Sequence, residues 1–385
     1  MLRRFLVLAL LLAVVPAALA QAPTFPEATH KGGKLAHVAG LPVLTVQGAP
    51  EEIGEQFGVL AIKNAPGIDA LLAQFLKDTK QEEAFEGIKV LSKQLKKNLP
   101  KDHLTEMDAA AKAAGREPDL LYFANTVYDL SSGMGCSTVI VEPGRSATGN
   151  TIFARNFDWM NSKGIDRHTL VVVWKPKGKK AFATITISPL SGCVSGMNED
   201  GLAVTINEIH LKQSKDKPSF NWKGTPTLAL FRRVLEECST VAEAEALLRK
   251  AERTSTSCMT ACDAKGGAVF EITPKTIVAR KAKNDVCCCT NHFCTDELGI
   301  GQKCDRLPKL EALQGTEEKL GIEDVFQSLH AVNAGKFTLQ AMVFEPKARM
   351  LHLKLGDTVK SATVMKATTL DLGKLFKGEQ STKAQ

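Results

Sequence analysis

A chain of 385 residues is long enough for one large domain or two ordinary ones, so a deep core and an enclosed site need no covalent staples. Its composition is that of an ordinary globular protein, 44% apolar and 24% charged. The formal charge of +7 comes from lysine pairs scattered between elements and from Arg3 and Arg4, which reads as solvated faces and excludes a basic stripe for nucleic acid.

Met1 to Ala20 open with Arg3 and Arg4, continue through the apolar run Phe5 to Val15 and end on Ala18-Leu19-Ala20, the pattern of a secretory signal peptide. The run is shorter than the roughly 18 to 20 residues that cross a bilayer, and no later stretch comes close. The expectation is a secreted or periplasmic protein with no membrane contact once the signal is removed. From Glu51 to about Leu130 the spacing is helical, with Ile68, Leu71, Leu72, Phe75 and Leu76 on one face and Leu91, Leu95, Leu104, Met107 and Ala111 continuing the period.

After Cys136 the texture turns to β. Thr138 to Glu142, Thr151 to Phe157, Leu170 to Trp174, Ala181 to Ile187 and Leu202 to Ile206 are rich in β-branched residues and separated by Gly, Pro, Asn or Lys clusters. Helices are predicted at Thr227 to Cys238 and Val241 to Ala251, the second with Thr240 as its N-cap. Strands follow at Met259 to Asp263, Ala268 to Ile272, Thr276 to Ala279 and Val286 to Thr290, helices at Leu307 to Leu313 and Ile322 to His330, and strands at Ala341 to Glu345 and Leu351 to Leu355. Such an order suggests helices packed outside two antiparallel sheets, an α+β fold, ending in a polar tail at 377–385.

Ten cysteines in an exported chain point to disulfides, because the exterior is oxidising. Cys136, Cys193 and Cys238 stand alone, whereas Cys258, Cys262, Cys287, Cys288, Cys289, Cys294 and Cys304 crowd together. With one thiol kept for catalysis the remainder is odd, so at least one more stays unpaired or pairs between molecules.

Met134-Gly135-Cys136-Ser137-Thr138 lies where the helical section meets the first of these strands. Gly135 can take φ angles closed to other residues, letting the Cys136 sulfur approach the preceding carbonyl for an N-to-S acyl shift. Hydrolysis of that thioester would leave Cys136 as a new N-terminus. Its α-amino group, with an ordinary pKa of about 8 against about 8.5 for the thiol, could then serve as general base without a histidine. The competing reading of Cys136 is a buried half-cystine or core thiol. Phe153-Ala154-Arg155-Asn156-Phe157-Asp158-Trp159 places Arg155 and Asp158 in a hairpin beside it. Alternation puts Arg155, Phe157 and Trp159 on one side and Asn156 with Asp158 on the other, unless the strand ends or bulges near Phe157, and a plain surface ion pair is the alternative for these two charges.

Gly-Cys-Ser-Thr followed by F-A-R-N-F-D-W, then Met197-Asn198-Glu199-Asp200-Gly201-Leu202-Ala203-Val204 and Thr290-Asn291-His292-Phe293, resembles the N-terminal-nucleophile hydrolases that include the acyl-coenzyme A:isopenicillin N (6-aminopenicillanic acid) acyltransferases and, more distantly, the choloylglycine hydrolases. The resemblance runs in order from Gly48-Ala49-Pro50-Glu51-Glu52-Ile53-Gly54 to Ser361-Ala362-Thr363 and Leu370-Asp371-Leu372. It implies a four-layer αββα sandwich behind a helical pro-segment, with cleavage between Gly135 and Cys136. The chain then divides into a signal peptide (1–20), a mainly helical N-terminal chain (21–135), a catalytic domain (136–376) and the tail. The long front section matches the acyltransferase-like branch.

By the same resemblance Cys136 matches the nucleophile, and Arg155 and Asp158 match the pair that orients it and its amino group. Asn291 matches the asparagine that donates to the developing oxyanion, and Arg306 a late arginine. Asn207 is a second oxyanion candidate, although a turn-forming asparagine at a strand end explains it equally well. The sequence departs from its relatives at Cys304, where they tend to carry a serine ahead of the arginine. The implied partners are a small N-acyl substrate and the cleaved N-terminal chain, with no cofactor.

Three rival readings remain. His292 and Cys294 beside Cys287-Cys288-Cys289, with Cys258 and Cys262, are spaced poorly for a tetrahedral zinc site, so no metal is expected and local disulfides are preferred. A non-catalytic, disulfide-stapled secreted binding protein would bury Cys136 as one half-cystine among several. A thiol redox protein built on Cys287 to Cys289 lacks any C-x-x-C motif. His168, His210, His330 and His352 read as surface or satisfied histidines. The expected activity is hydrolysis or transfer of an acyl group through a Cys136 thioester, and export favours hydrolysis because acyl-coenzyme A is intracellular.

Overall fold

Apolar alternation and tight glycine turns start the fold before any helix. In the structure, a computed structural model, β1 (Ala28–His30), β2 (Gly33–Val38) and β3 (Leu41–Gly48) form a meander whose turns, Lys31-Gly32 and Ala39-Gly40, lie wholly in the left-handed region. The residues described are 25–65, 67–78, 82–83, 85–130, 133–159, 164–209, 215, 220–301 and 304–379, so the expected signal peptide, His210 and most of the polar tail lie outside them. Helical spacing from Glu51 onward predicts a helical front, and these three strands precede it.

Helices α1 (Pro50–Phe57), α2 (Ile68–Asp78), α3 (Phe85–Leu95), α4 (Lys101–Ala114) and α5 (Pro118–Leu130) follow. Gly54 and Gly58 let α4 approach α1 directly. A Cβ at Gly54 would stand 2.2 Å from the Glu106 carbonyl oxygen, and one at Gly58 2.3 Å from that of Ala110.

Strands β4 (Gly135–Val141), β5 (Ile152–Asp158), β6 (Thr169–Pro176), β7 (Phe182–Ile187), β8 (Ser195–Asn198) and β9 (Ala203–Glu208) come next, then α6 (Thr227–Glu237) and α7 (Val241–Lys250). Thr240 caps α7 as expected, its hydroxyl accepting from the Glu243 amide at 3.2 Å. The chain closes with β10 (Ser257–Asp263), β11 (Gly266–Ile272), β12 (Ile277–Lys281), β13 (Val286–Cys289), α8 (Leu307–Glu311), α9 (Ile322–His330), β14 (Thr338–Glu345), β15 (Met350–Leu355), β16 (Thr368–Asp371) and α10 (Leu372–Lys377).

The strands sort into a ten-stranded sheet, β1-β2-β3-β6-β7-β8-β9-β10-β11-β12, and a six-stranded sheet, β13-β4-β5-β14-β15-β16. Every pairing is antiparallel except β3 with β6, which is parallel. Three apolar layers hold them together. Leu44, Val46, Trp174, Phe182 and Val204 of the large sheet pack against α1, α4, α5 and α6. Val171, Val173 and Ala183 meet Ile140, Phe153 and Met342 of the small sheet between the two. Val139, Val141, Ala154 and Val343 pack outward against α8 and α9. The result is the expected αββα order of four layers. Among the described residues no helix is long and apolar enough to cross a membrane.

All ten cysteines stand as thiols, so the disulfides expected from their number are not formed in this structure. Eight of them are buried in the apolar layers, where a thiol packs as a small hydrophobe. His330 and His352 are satisfied, by Thr363 and by Thr369 with Glu345. His168 differs from expectation: it is buried, its Nε2 has no hydrogen-bond partner, and burial lowers its pKa to about 4.

Candidate active site

The site forms where β4 begins, at the mouth between the two sheets. Register pairs Gly135 with Asp158, Cys136 with Phe157 and Thr138 with Arg155, so Arg155 stands diagonally across from Cys136 on the inward face. Its Nη2 donates to Cys136 Sγ at 2.9 Å. Nη1 of the same guanidinium donates to the Val194 carbonyl at 2.9 Å and to Ser195 Oγ at 2.6 Å. Its face lies 5.0 Å from the centre of the Phe157 ring. Arg155 is thus fixed on three sides with a single nitrogen left for the sulfur.

Asp158 points the other way, as strand alternation requires, and Oδ1 accepts from the Thr338 hydroxyl at 2.6 Å. Between Thr338 and Gln340 the register of β14 shifts, and this bulge brings Thr338 opposite Asp158. Asp158 explains the glycine at 135. A Cβ there would sit 3.1 Å from that of Asp158, whereas the φ of Gly135 is not in the left-handed region; close approach of the carboxylate, rather than special backbone freedom, calls for glycine.

The loop after β13 supplies the rest. Asn291 Oδ1 accepts from the Cys136 backbone nitrogen at 2.8 Å and from Arg306 Nη2 at 2.7 Å. Its Nδ2 donates to the Glu208 carbonyl at 3.0 Å and the Met134 carbonyl at 3.4 Å. Arg306 Nη1 donates to the Cys136 carbonyl at 3.1 Å and to Asp158 Oδ2 at 3.3 Å, so it belongs to the cluster despite the departure at Cys304. His292 lies beside this loop as expected, its Nδ1 3.0 Å from Thr290 Oγ1.

Asn207 is the predicted residue that the structure leaves outside this hydrogen-bond network. It is fully buried on β9 opposite Cys258, and neither atom of its amide has a hydrogen-bond partner among the described residues. Its neighbour Glu208, which sequence reasoning missed, is inside. The Glu208 carboxyl accepts from the amides of Gly133 at 3.0 Å and Met134 at 2.7 Å, clasping the segment just ahead of Cys136. A carboxylate in the apolar run Val204-Thr205-Ile206-Asn207-Glu208-Ile209 was the available signal. Thr338 and Ser195 carried none.

Electrostatics follow from burial. Burial pushes the Cys136 thiol up to about 11, with Arg155 opposing and Asp158 and Glu208 adding to it. Burial likewise raises Asp158, against the Thr338 hydroxyl and Arg306, and lifts Glu208 to about 7 against the two amides it accepts from. A thiol pushed that far up favours its protonated form at neutral pH. Among the described residues no group of three or more His, Cys, Asp or Glu side chains is placed to hold a metal ion.

Beside the cluster lies an apolar cavity of about 70 Å³, lined by Phe123 and Val127 of α5, by Ile165, Ile187 and Leu190, and by Trp159, whose ring packs on Phe157 at 5.9 Å.

No curated protein matches the chain. Among solved structures it is similar to the Caenorhabditis elegans ortholog of N-acylethanolamine-hydrolyzing acid amidase, with 18% identity over 55% of this chain and 93% of that one and a TM-score of 0.43. It is also similar to penicillin V acylase from Agrobacterium tumefaciens, with 18% identity over 62% and 87% and a TM-score of 0.44, and to a variant of conjugated bile acid hydrolase from Clostridium perfringens, with 13% identity over 62% and 93% and a TM-score of 0.46. A sequence model of one family matches residues 146–360, more than half of the chain, a span that holds Arg155, Asp158, Asn291 and Arg306 and starts just after Cys136. On that match the chain belongs to the acyl-coenzyme A:6-aminopenicillanic acid acyl-transferase family.

Proposed function

We propose that this protein cuts itself between Gly135 and Cys136 and then uses Cys136 as the nucleophile of an amidase acting on small N-acyl molecules. One observation carries the reading: a single residue has its sulfur addressed by a guanidinium at 2.9 Å and its nitrogen by a side-chain amide at 2.8 Å. A core thiol has no use for either. In the first step the Cys136 sulfur adds to the Gly135 carbonyl, the bond to the Cys136 nitrogen breaks, and water hydrolyses the resulting thioester to a Gly135 carboxylate and a free Cys136 amine. Loss of the preceding segment removes the Met134 carbonyl from Asn291 Nδ2, which then donates to the oxyanion of a bound amide.

In the second step the sulfur attacks the substrate carbonyl, with the new amine as proton acceptor, Asn291 Oδ1 fixing that amine and Arg306 holding Asn291 and the Cys136 carbonyl. The amine product leaves, and water or another amine takes the acyl group. Asn207, with both amide atoms unpartnered, is the second donor in this reading. The apolar cavity beside Phe157 suits a hydrocarbon or aromatic acyl group. Residues 1–20 are read as an export signal, which favours water as acceptor. In an oxidising compartment Cys258 and Cys289, two fully buried thiols that neighbour one another, are the pair placed to join.

The test is to trap the intermediate. Incubation with an N-acyl p-nitroanilide, acid quench and peptide mass analysis should find the acyl group on a peptide beginning at Cys136 and removable by hydroxylamine. Acylation of any other residue, or of none during turnover, contradicts the proposal.

A further inference from the structure

The N-terminal segment reaches the nucleophile through a loop on the other side of the cut. Residues 188–195 join β7 to β8. At the far end of this loop the Val194 carbonyl and Ser195 hydroxyl hold Nη1 of Arg155, the guanidinium that meets Cys136 Sγ. At its near end Ser188, Pro189 and Leu190 line the apolar cavity. Whatever fixes the middle of the loop therefore sets both the arginine and the cavity wall.

The middle is held by one side chain of α5. Asn125 is 1% exposed, and its Oδ1 accepts from the Ser191 amide at 2.9 Å, the Ser191 hydroxyl at 3.2 Å and the Gly192 amide at 2.8 Å. Its Nδ2 donates to the Leu121 carbonyl at 2.8 Å, so the amide cannot turn over without losing all four bonds. From the opposite side Arg232 Nη1 donates to the Ser191 carbonyl at 3.3 Å. A Cβ at Gly192 would lie 2.6 Å from that of Leu228, so the loop is pressed onto α6. Three donors converging on one buried oxygen is more than a solvent-facing loop requires, and a loop freed of them would lose its register on Arg155.

We propose that Asn125 is a positioning residue for Cys136, locking the 188–195 loop that aims Arg155 at the sulfur, so that the N-terminal chain is a working part of the site after cleavage. This rests on the reading of Cys136 as nucleophile. Asn125 lies on the N-terminal side of the cut; Ser191, Gly192, Arg155 and Cys136 lie on the other. The severed chain thus acts on the reacting atom through three hydrogen-bonded steps, Asn125 to the loop, the loop to Arg155 and Arg155 to the sulfur, without touching substrate.

The test is the pH profile of Cys136 alkylation by iodoacetamide in the cut protein, read by peptide mass, which needs no substrate. Asn125→Leu keeps the volume and removes the acceptor, and its profile should move up by about one pH unit, giving about tenfold slower alkylation on the rising limb. Asn125→Asp keeps the accepting oxygen but loses the bond to the Leu121 carbonyl, and should move the profile clearly less than the leucine variant does. Should the leucine variant not fold, Asn125→Ser, too short to reach the three donors, must show the same upward shift. An Asn125 of merely structural importance would lower yield and Tm but leave the profile of the folded protein in place. Coincidence of the Leu or Ser profile with the wild type, or an Asp profile displaced as far as the Leu one, overturns the proposal. A wild type whose Cys136 shows no pH-dependent alkylation overturns the nucleophile reading and takes the proposal with it, a result distinct from the other two.

Discussion

Replacing Arg232 by methionine tests how the two sides of the proposed cut are held together. Arg232 is 1% exposed and meets both oxygens of Glu106, Nη1 at 2.7 Å and Nη2 at 2.8 Å, while Nε donates to Glu236 at 2.8 Å. Its guanidinium lies over Trp174 at 4.5 Å, and His103 adds two contacts to Glu236 at 3.0 Å. Glu106 and His103 belong to the N-terminal side, Arg232 and Glu236 to the other. Arg232→Met fills the same space but leaves the buried Glu106 carboxylate without its cation and Glu236 with only Lys179 and His103, a change of about 3 to 5 kcal/mol. With an unfolding entropy of about 2.1 cal/mol/K per residue, that lowers Tm by roughly 5 °C in a chain of this size.

Burial pushes Glu236 up, but His103, Arg232 and Lys179 more than offset it and hold the carboxyl well below the ordinary range. Its contribution is complete above the ordinary carboxylate pKa and is lost as pH falls through the lowered one, so the deficit should be full at pH 7 and shrink in acid. The assay is thermal unfolding of the wild type, Arg232→Met, Glu106→Gln and the double variant at pH 7, with the double costing less than the sum of the singles. An Arg232→Met protein that melts within about a degree of the wild type, or strict additivity, refutes the reasoning.

Glu208→Gln in a Cys136→Ala background isolates the carboxyl that clasps Gly133 and Met134. Because folding raises Glu208 from 4.5 to about 7, its contribution is fully present below 4.5 and is lost as pH rises to about 7. Urea unfolding should show the parent losing up to roughly 3 kcal/mol relative to the glutamine variant between pH 4.5 and 8, and parallel curves would contradict this. Thr338→Val removes a bond that pulls Asp158 down, so the acidic limb of the kcat/KM profile should move upward; an unmoved limb would detach Asp158 from turnover. Ala124 of α5 also lines the apolar cavity, and Ala124→Phe fills it and should lower kcat/KM for bulky acyl groups at least about tenfold more than for acetyl, whereas an equal loss for both would place the acyl group elsewhere.

Much of the architecture was legible because the relevant physics is local. Runs such as Leu170 to Trp174 and the capped helix at Thr240 declare themselves through β-branching and spacing, and α9 appears with its predicted bounds. Strands β1 to β3 escaped because Lys31-Gly32 and Ala39-Gly40 interrupt short segments before any long period develops. Short β8 escaped likewise, with Gly196 in its middle.

At the site, Cys136, Arg155 and Asp158 could be grouped from one hairpin, and Asn291 and Arg306 from a resemblance. Glu208 and Asn125 act mainly on backbone amides, whose positions in space the sequence does not give, and Ser195 is a single hydroxyl opening a strand that was not predicted. The crowding of cysteines could not be read as a pairing: Cys287, Cys288 and Cys289 alternate faces of one strand, so neighbours in sequence point into different layers.

The central claim is that one residue supplies both the sulfur and, after cleavage, the amine. Intact mass and N-terminal sequencing of the purified, active protein test it most directly. The account predicts two chains that co-purify, the larger beginning Cys136-Ser137-Thr138, and a single uncut chain on Cys136→Ala substitution. Activity from a wild-type protein that is one continuous chain through position 136, or a cut at any other bond, contradicts it.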